Sequence, residues 1–113
     1  MDEPMALVLS AVIEFAIAAL IVHLTKWPSR GALHVGLASA VATAVTHPQA
    51  WNAALWAYPH LSYWPATLGI ETAVIAIEGL LIAWIAALKF RSAMLVSLLA
   101  NLSSFFAGWY AGI

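Results

Sequence analysis

Long apolar runs dominate this sequence. Met5 to Leu24 contains one charged residue, Glu14, and two further runs cover 67–88 and 92–112. A membrane-crossing helix needs about 20 apolar residues, with a range of about 17 to 25. A shorter run, 30–47, reaches that range when its helix is capped near Ser29. The sequence therefore predicts a single all-α domain with four membrane spans, at about 5–24, 30–47, 67–88 and 92–112.

Composition excludes the main soluble classes. Of the 113 residues, 65% are hydrophobic and 8% are charged, whereas a soluble domain carries about 25% charge. A domain this small buries only about two-thirds of its surface, which is too little to cover so much apolar area. Four Lys and Arg cannot form a basic stripe, so no nucleic-acid partner is expected. The absence of cysteine excludes disulfides and thiolate metal sites.

The basic residues predict an orientation. Lys26 and Arg30 lie between the first two spans, and Lys89 and Arg91 lie between the last two. Both loops fall on the same side of a four-span protein, and loops rich in Lys and Arg remain in the cytoplasm. We therefore expect an integral protein of the cytoplasmic membrane with both termini outside.

Aromatic residues gather in the outer segment 48–66 between the second and third spans. Trp and Tyr are enriched where lipid headgroups meet water. Because Pro48 should end the second helix and Pro59 should end the next one, 49–58 is predicted to form a short helix lying in the interface. The segment contains the following aromatic residues: Trp51, Trp56, Tyr58, Tyr63 and Trp64. We expect this segment to cover the outer end of a four-helix bundle.

Three of the five acidic residues lie inside the spans, where no basic residue accompanies them. They are Glu14, Glu71 and Glu78. A carboxylate at the bilayer centre costs about 2.5–3.5 kcal/mol on insertion scales, so each one requires a physical reason. Glu14 and Glu78 are predicted near the midplane. Glu71 precedes Glu78 by seven residues, which places it on the same helix face and about 10 Å closer to the outside.

Polar residues of the other spans are predicted at the depth of the two central glutamates. Asn101 lies at that depth in the fourth span, and Thr43 lies near it in the second. Two neighbouring carboxylates without a base cannot both remain ionised in a dry site, so a shared proton or a bound cation would satisfy them. The candidate ion- or proton-binding residues are Glu14, Glu78, Asn101, Glu71 and Thr43. A protonated glutamate that only joins helices, or that pairs with a base of another subunit, is the structural alternative.

Two histidines bracket the outer segment at about the level of Glu71. A metal site formed by His47, His60 and Glu71 is one interpretation, because imidazole and carboxylate groups bind zinc and similar ions. A proton relay through the same residues, or histidines that face headgroups and water, are the others. No cofactor beyond such a metal ion is expected. No nucleophile–base motif, phosphate loop or H-E-x-x-H sequence occurs, so no enzymatic activity is expected.

A short chain with four spans and a midplane glutamate in the first span resembles the small multidrug resistance transporters. In that family the first-span glutamate, matched here by Glu14, binds protons and cationic drugs in a dimer. The resemblance is one of architecture. The family's Ala-Tyr-Ala pattern before a Trp-containing glycine turn is absent, and the family has no counterparts of Glu71 and Glu78.

More of the chain resembles small bacterial four-helix inner-membrane proteins of unassigned function. The similar features are Glu14, the sequence Thr46-His47-Pro48, the pair Glu71 and Glu78, and the stretch from Ser97 to Ser104. This resemblance implies a bacterial cytoplasmic membrane and emphasises the same polar residues. It implies no activity.

Three functional hypotheses follow. The first is proton- or cation-linked transport, or ion binding, by a homo-oligomer that uses the buried carboxylates. The second is a non-catalytic accessory subunit of a larger membrane complex, whose polar residues dock against partner helices. The third is a metal-handling membrane protein.

Overall fold

In the computed structural model, which describes residues 2–110, the chain forms four helices. They are α1 (Glu3–Thr25), α2 (Ala32–Ala57), α3 (Tyr63–Ala86) and α4 (Phe90–Tyr110). Helices α1, α3 and α4 are long and apolar enough to cross a membrane. These three begin two to four residues before the spans predicted at 5, 67 and 92. The predicted end of the last span at 112 lies outside the described residues.

The ends of the first helix follow from local hydrogen bonding. The Met5 amide donates to the Asp2 carboxylate at 3.0 Å, which caps the start of α1. At the other end Lys26 adopts a left-handed backbone conformation with φ 56°, and its amide donates to the Val22 carbonyl at 2.8 Å. Gly31, with φ 113°, then precedes α2. The basic segment between α1 and α2 is therefore a short, well-defined turn.

The predicted helix break at Pro48 is wrong. Helix α2 continues through Pro48 and ends at Ala57, so 49–58 is not a separate interfacial helix but belongs mostly to the last turns of α2. Proline removes one helical hydrogen bond, here to the Ala44 carbonyl, and it usually ends or kinks a helix. The flanking helices α1 and α3 both pack against α2, and such packing lets helices of membrane proteins continue through proline.

The four helices form a ring in chain order. Each packs against the helix before and after it, and α4 closes the ring on α1. The bundle measures 43 × 23 × 19 Å. Its long dimension is similar to the thickness of a bilayer with its headgroup regions, about 40–45 Å.

One half of the bundle, next to the two basic loops, has a close-packed apolar core, which we call the packed half. Small side chains allow the helices to approach closely there. A Cβ atom added to Gly36 of α2 would lie 3.1 Å from the Phe15 carbonyl oxygen of α1. The core of the packed half consists of Ala18, Val22, Val35, Ala38, Ile82, Ala86, Leu88, Ala93 and Val96. This core closes one end of the bundle.

The outside of the bundle carries large apolar side chains, whereas the inside is rich in small and polar ones. Trp84 is 80% exposed, and Glu78 is 1% exposed. This distribution is the reverse of the one found in soluble proteins. Further exposed apolar residues are Val8, Val12, Leu20, Leu37, Val41, Val45, Leu80, Leu95 and Leu99.

Candidate functional site

The other half of the bundle encloses a cavity of about 690 Å³ that we call the vestibule. All four helices line it: the N-terminal halves of α1 and α3 and the C-terminal halves of α2 and α4. It therefore lies at the end of the bundle opposite the basic loops. Its deepest residues include the two glutamates that the sequence placed near the midplane.

The vestibule floor is a pair of buried carboxyl groups, Glu14 of α1 and Glu78 of α3. They are 2% and 1% exposed. The Thr43 hydroxyl of α2 lies 2.9 Å from Glu14 Oε1 and 3.5 Å from Glu78 Oε1, so a single hydroxyl group contacts both carboxyl groups. The structure thus brings together two acids that are 64 positions apart in the chain.

Three further side chains donate to this pair. The Thr46 hydroxyl donates to Glu78 Oε2 at 2.6 Å, and the Asn101 amide nitrogen donates to Glu78 Oε1 at 3.3 Å. The Ser104 hydroxyl donates to Glu14 Oε2 at 2.9 Å. Helix α2 thereby contacts both acids, and α4 does so as well. The carboxyl pair is the polar centre on which all four helices converge.

Each of these donors has a second acceptor in its own helix backbone. Thr43 lies 3.0 Å from the Ser39 carbonyl, and Thr46 lies 3.0 Å from the Ala42 carbonyl. The Asn101 and Ser104 donors lie 2.8 and 3.1 Å from backbone carbonyls of α4. A hydroxyl group donates one hydrogen, so these donors do not saturate the carboxyl oxygens. The pair therefore retains capacity for a proton or a cation.

No basic side chain neutralises the floor. Within residues 2–110 the ion pair recorded is Glu3–His47, and neither Glu14 nor Glu78 takes part in one. A carboxylate buried without a counter-charge carries a large desolvation cost. Within the described chain, no basic side chain balances the negative charge of the pair.

Glu71 lines the wall of the same vestibule. It lies on α3 seven residues before Glu78 and is partly exposed. Its carboxyl group has no hydrogen-bond partner among the described residues, whereas the carboxyl groups of the two floor glutamates do. The structure thus places it inside the vestibule but apart from the carboxyl pair.

Aromatic rings cluster beside the vestibule: Tyr58, Tyr63 and Trp109 line it, and Trp64 contacts the last two of these. Tyr58 and Tyr63 have ring centroids 5.2 Å apart, Tyr63 and Trp64 are also 5.2 Å apart, and Trp64 and Trp109 are 5.5 Å apart. We call these four residues the aromatic rim. The Tyr58 hydroxyl lies 2.9 Å from the Thr67 hydroxyl, which ties the rim to α3. The rim links the ends of α2, α3 and α4.

The structure does not assemble the predicted metal site. His47 lies 3.1 Å from Glu3 and stacks on Trp51, whereas the His60 ring packs against Trp56. Across residues 2–110, no group of three or more His, Asp and Glu side chains could hold a metal ion. The sequence placed His47, His60 and Glu71 at a similar level of the bundle. In the structure, however, His47 and His60 each contact other residues.

Two of the residues that donate to the carboxyl pair were not predicted as site residues from the sequence. Thr46 was noted only beside Pro48, and Ser104 only within a polar stretch of the fourth span. The available signal was the spacing: Thr46 lies three residues after Thr43, and Ser104 lies three residues after Asn101. Residues at this spacing share a helix face.

No family model matches the sequence, and no curated protein or solved structure is significantly similar to it.

Proposed function

We propose that this protein exchanges a proton or a cation at the Glu14–Glu78 pair as part of transport across a membrane. The observation that carries the proposal is the meeting of two uncompensated carboxyl groups at the floor of an open vestibule. Buried acids that serve only to join helices do not need an aqueous approach. An exchangeable proton or cation does.

The placement in a membrane is part of the proposal. Large apolar side chains cover the outside of the bundle, as a lipid-facing surface requires. In this arrangement α2 also crosses the membrane, as the second of four spans, the basic loops lie in the cytoplasm, and both termini lie outside. The vestibule then opens to the outside of a bacterial cytoplasmic membrane.

Charge balance gives the elementary step. With one proton shared by the two carboxyl groups the pair carries a net charge of −1, and replacement of that proton by a monovalent cation leaves this charge unchanged. An incoming cation takes the place of a proton, and that proton leaves through the vestibule to water. Because both species compete for the same carboxyl oxygens, their movements are coupled.

The packed half restricts how a complete transport cycle can proceed. Its core closes the end opposite the vestibule, so the conformation described gives access from one side. Release on the other side requires the helices of the packed half to separate. We propose that a homo-oligomer supplies the second helix surface against which they move.

Proton-coupled flux in proteoliposomes tests this function. Glu14→Gln and Glu78→Gln should each reduce cation-driven proton flux to the level of protein-free vesicles while membrane insertion is unchanged. Asp2→Asn is the matched control, because Asp2 is an exposed acid outside the vestibule lining and asparagine can still cap α1, and this variant should retain the flux. Unchanged flux in both Glu14→Gln and Glu78→Gln would overturn the proposal.

Mass analysis of the intact complex, purified in mild detergent, separates this function from the accessory-subunit alternative. The chain alone or as a small homo-oligomer is the expected result. A fixed ratio to larger membrane proteins would favour an accessory subunit, and the buried glutamates should then affect assembly rather than flux.

A further inference from the structure

The vestibule has two acidic levels. Glu14 and Glu78 form the lower level at the floor, and Glu71 forms the upper level on the wall. The separation of seven residues from Glu71 to Glu78 makes almost two helical turns, so both face the vestibule about 10 Å apart along α3. The upper carboxyl group lacks a protein hydrogen-bond partner in the described part of the chain. Each level therefore offers negative charge to a ligand.

An apolar band separates the two levels. Val74 lies on the same face of α3, three residues after Glu71 and four before Glu78, and it lines the vestibule. Leu9 of α1 and Ala50 of α2 also line the vestibule, one to two turns above Glu14 and Thr46, with polar Ser10 beside Leu9. Along α3 the wall thus runs from acid to apolar to acid.

The charge of the vestibule lining disfavours anions, and the volume of the vestibule is larger than a single bare ion requires. Its lining contains no Lys or Arg, and its histidine, His47, is paired with Glu3. A volume of about 690 Å³ falls within the range of about 300–1,000 Å³ that is typical of sites for organic molecules. A small organic cation with one charge would neutralise one acidic level and leave the other without a partner.

We propose that the vestibule binds a linear diamine or polyamine in an extended conformation. One ammonium group lies at the Glu14–Glu78 pair, the methylene chain lies along Val74, and a second ammonium group lies at Glu71. The aromatic rim gives the entering ammonium groups cation–π contacts. This inference rests on the proposed function, because the first ammonium group displaces the proton held by the carboxyl pair. That proton passes to water through the vestibule.

A series of α,ω-diaminoalkanes, each compared with the n-alkylamine of the same chain length, tests the two-level site. Binding is measured by isothermal titration calorimetry of the full chain in nanodiscs. We expect affinity to peak at one intermediate length. At that length the diamine should bind up to about fivefold more tightly than the monoamine, since the second ion pair adds up to about 1 kcal/mol. Equal affinity of diamines and monoamines at every length would overturn the proposal.

Substitution of the upper level gives the sharper readout. Glu71→Gln should abolish the preference for the diamine while the monoamine affinity stays the same, and Asp2→Asn, at an exposed acid outside the vestibule lining, should change neither. A preference that survives Glu71→Gln would also overturn the two-level site. Proton release on binding, followed with a pH indicator, distinguishes the two failures. Release that requires Glu14 and Glu78 but shows no diamine preference contradicts only this inference, whereas binding without release contradicts the proposed function as well.

Discussion

The packed half and the vestibule half are built from the same four helices but differ in what fills the space between them. In the packed half alanine and valine side chains meet directly, with Ala18, Ile82 and Ala86 all 0% exposed. In the vestibule half the helices leave about 690 Å³ open and direct acids, hydroxyls and aromatic rings towards it. Close packing stabilises helix association in lipid. In the vestibule half this close packing is less complete, and the interior is polar.

The boundary between the halves lies at the carboxyl pair. Gly79 follows Glu78 directly and is buried against Met94 of α4, whereas Val74, one turn before Glu78, lines the vestibule. Ser39 lies at the same boundary: its hydroxyl is buried and has no hydrogen-bond partner among the described residues. The close-packed core thus begins directly beyond the floor of the vestibule.

The largest difference between the two halves is expected in the free energy of unfolding when an isoleucine of each half is truncated to alanine. Ile82→Ala removes a fully buried side chain from the packed core and should lower the free energy of unfolding by about 2–5 kcal/mol. Ile70→Ala, on the same helix but lining the vestibule, should cost below about 1 kcal/mol because fewer neighbouring atoms are lost. Chemical unfolding in mixed micelles measures both. Equal losses would contradict the division into two halves.

Enlarging a glycine of α3 should show the same contrast with a smaller effect. A Cβ atom at Gly79 would overlap the Met94 sulfur, whereas one at Gly69 would meet nothing within 4 Å. Gly79→Leu should therefore cost about 1–3 kcal/mol. Gly69→Leu should be neutral or slightly stabilising, because leucine has the higher helix propensity. Thermal unfolding of the two variants in the same detergent makes the comparison, and a destabilised Gly69→Leu would contradict the exposed position of Gly69 on α3.

Loss of a donor to the carboxyl pair should cost less again. Thr46→Val removes the hydroxyl that lies 2.6 Å from Glu78 Oε2 and should cost about 1–2 kcal/mol. Thr46→Ser, which retains the hydroxyl, should recover most of that stability. Thr72→Val is the control, since Thr72 is exposed on α3 and should tolerate the change. The free energies of unfolding of all three variants decide whether the Thr46 hydroxyl stabilises the floor.

The smallest effect is expected at the outer edge of the vestibule. Glu3→Gln removes the ion pair with His47, whose side chains are 27% and 17% exposed. A partly exposed pair of this kind contributes about 0.2–1 kcal/mol. Chemical unfolding of Glu3→Gln should therefore show a loss within that range. A loss as large as that of Ile82→Ala would mean that this pair, rather than the packed half, holds the bundle together.

The four long helices and the positions of the buried acids along them follow from the sequence, because they depend on run length and on the rise per residue. Glu14 and Glu78 were placed at one depth on this basis. Helix rotation depends on packing, so the sequence alone did not show that Thr43 would contact both carboxyl groups. Nor did it show that His47 would pair with Glu3.

Pro48 marks the point at which a local rule gave the wrong result. Proline lowers helix stability by a known amount, but the continuation of α2 to Ala57 depends on the helices beside it. The vestibule was likewise beyond sequence reasoning, since a cavity is set by how far apart helices lie. The aromatic residues that form its rim were visible in the sequence, but only as candidates for a membrane interface.

The central claim is that water reaches the carboxyl pair from one end of the bundle only. The accessibility of introduced cysteine thiols to a water-soluble reagent tests it most directly. The chain contains no cysteine, so a single introduced cysteine reports its own position. Ala50→Cys lies in the vestibule, and Ala86→Cys lies in the packed core. A membrane-impermeant thiol reagent added outside cells should label Ala50→Cys rapidly and leave Ala86→Cys unlabelled from either side. Labelling of Ala86→Cys at a similar rate, or protection of Ala50→Cys from both sides, would contradict the account.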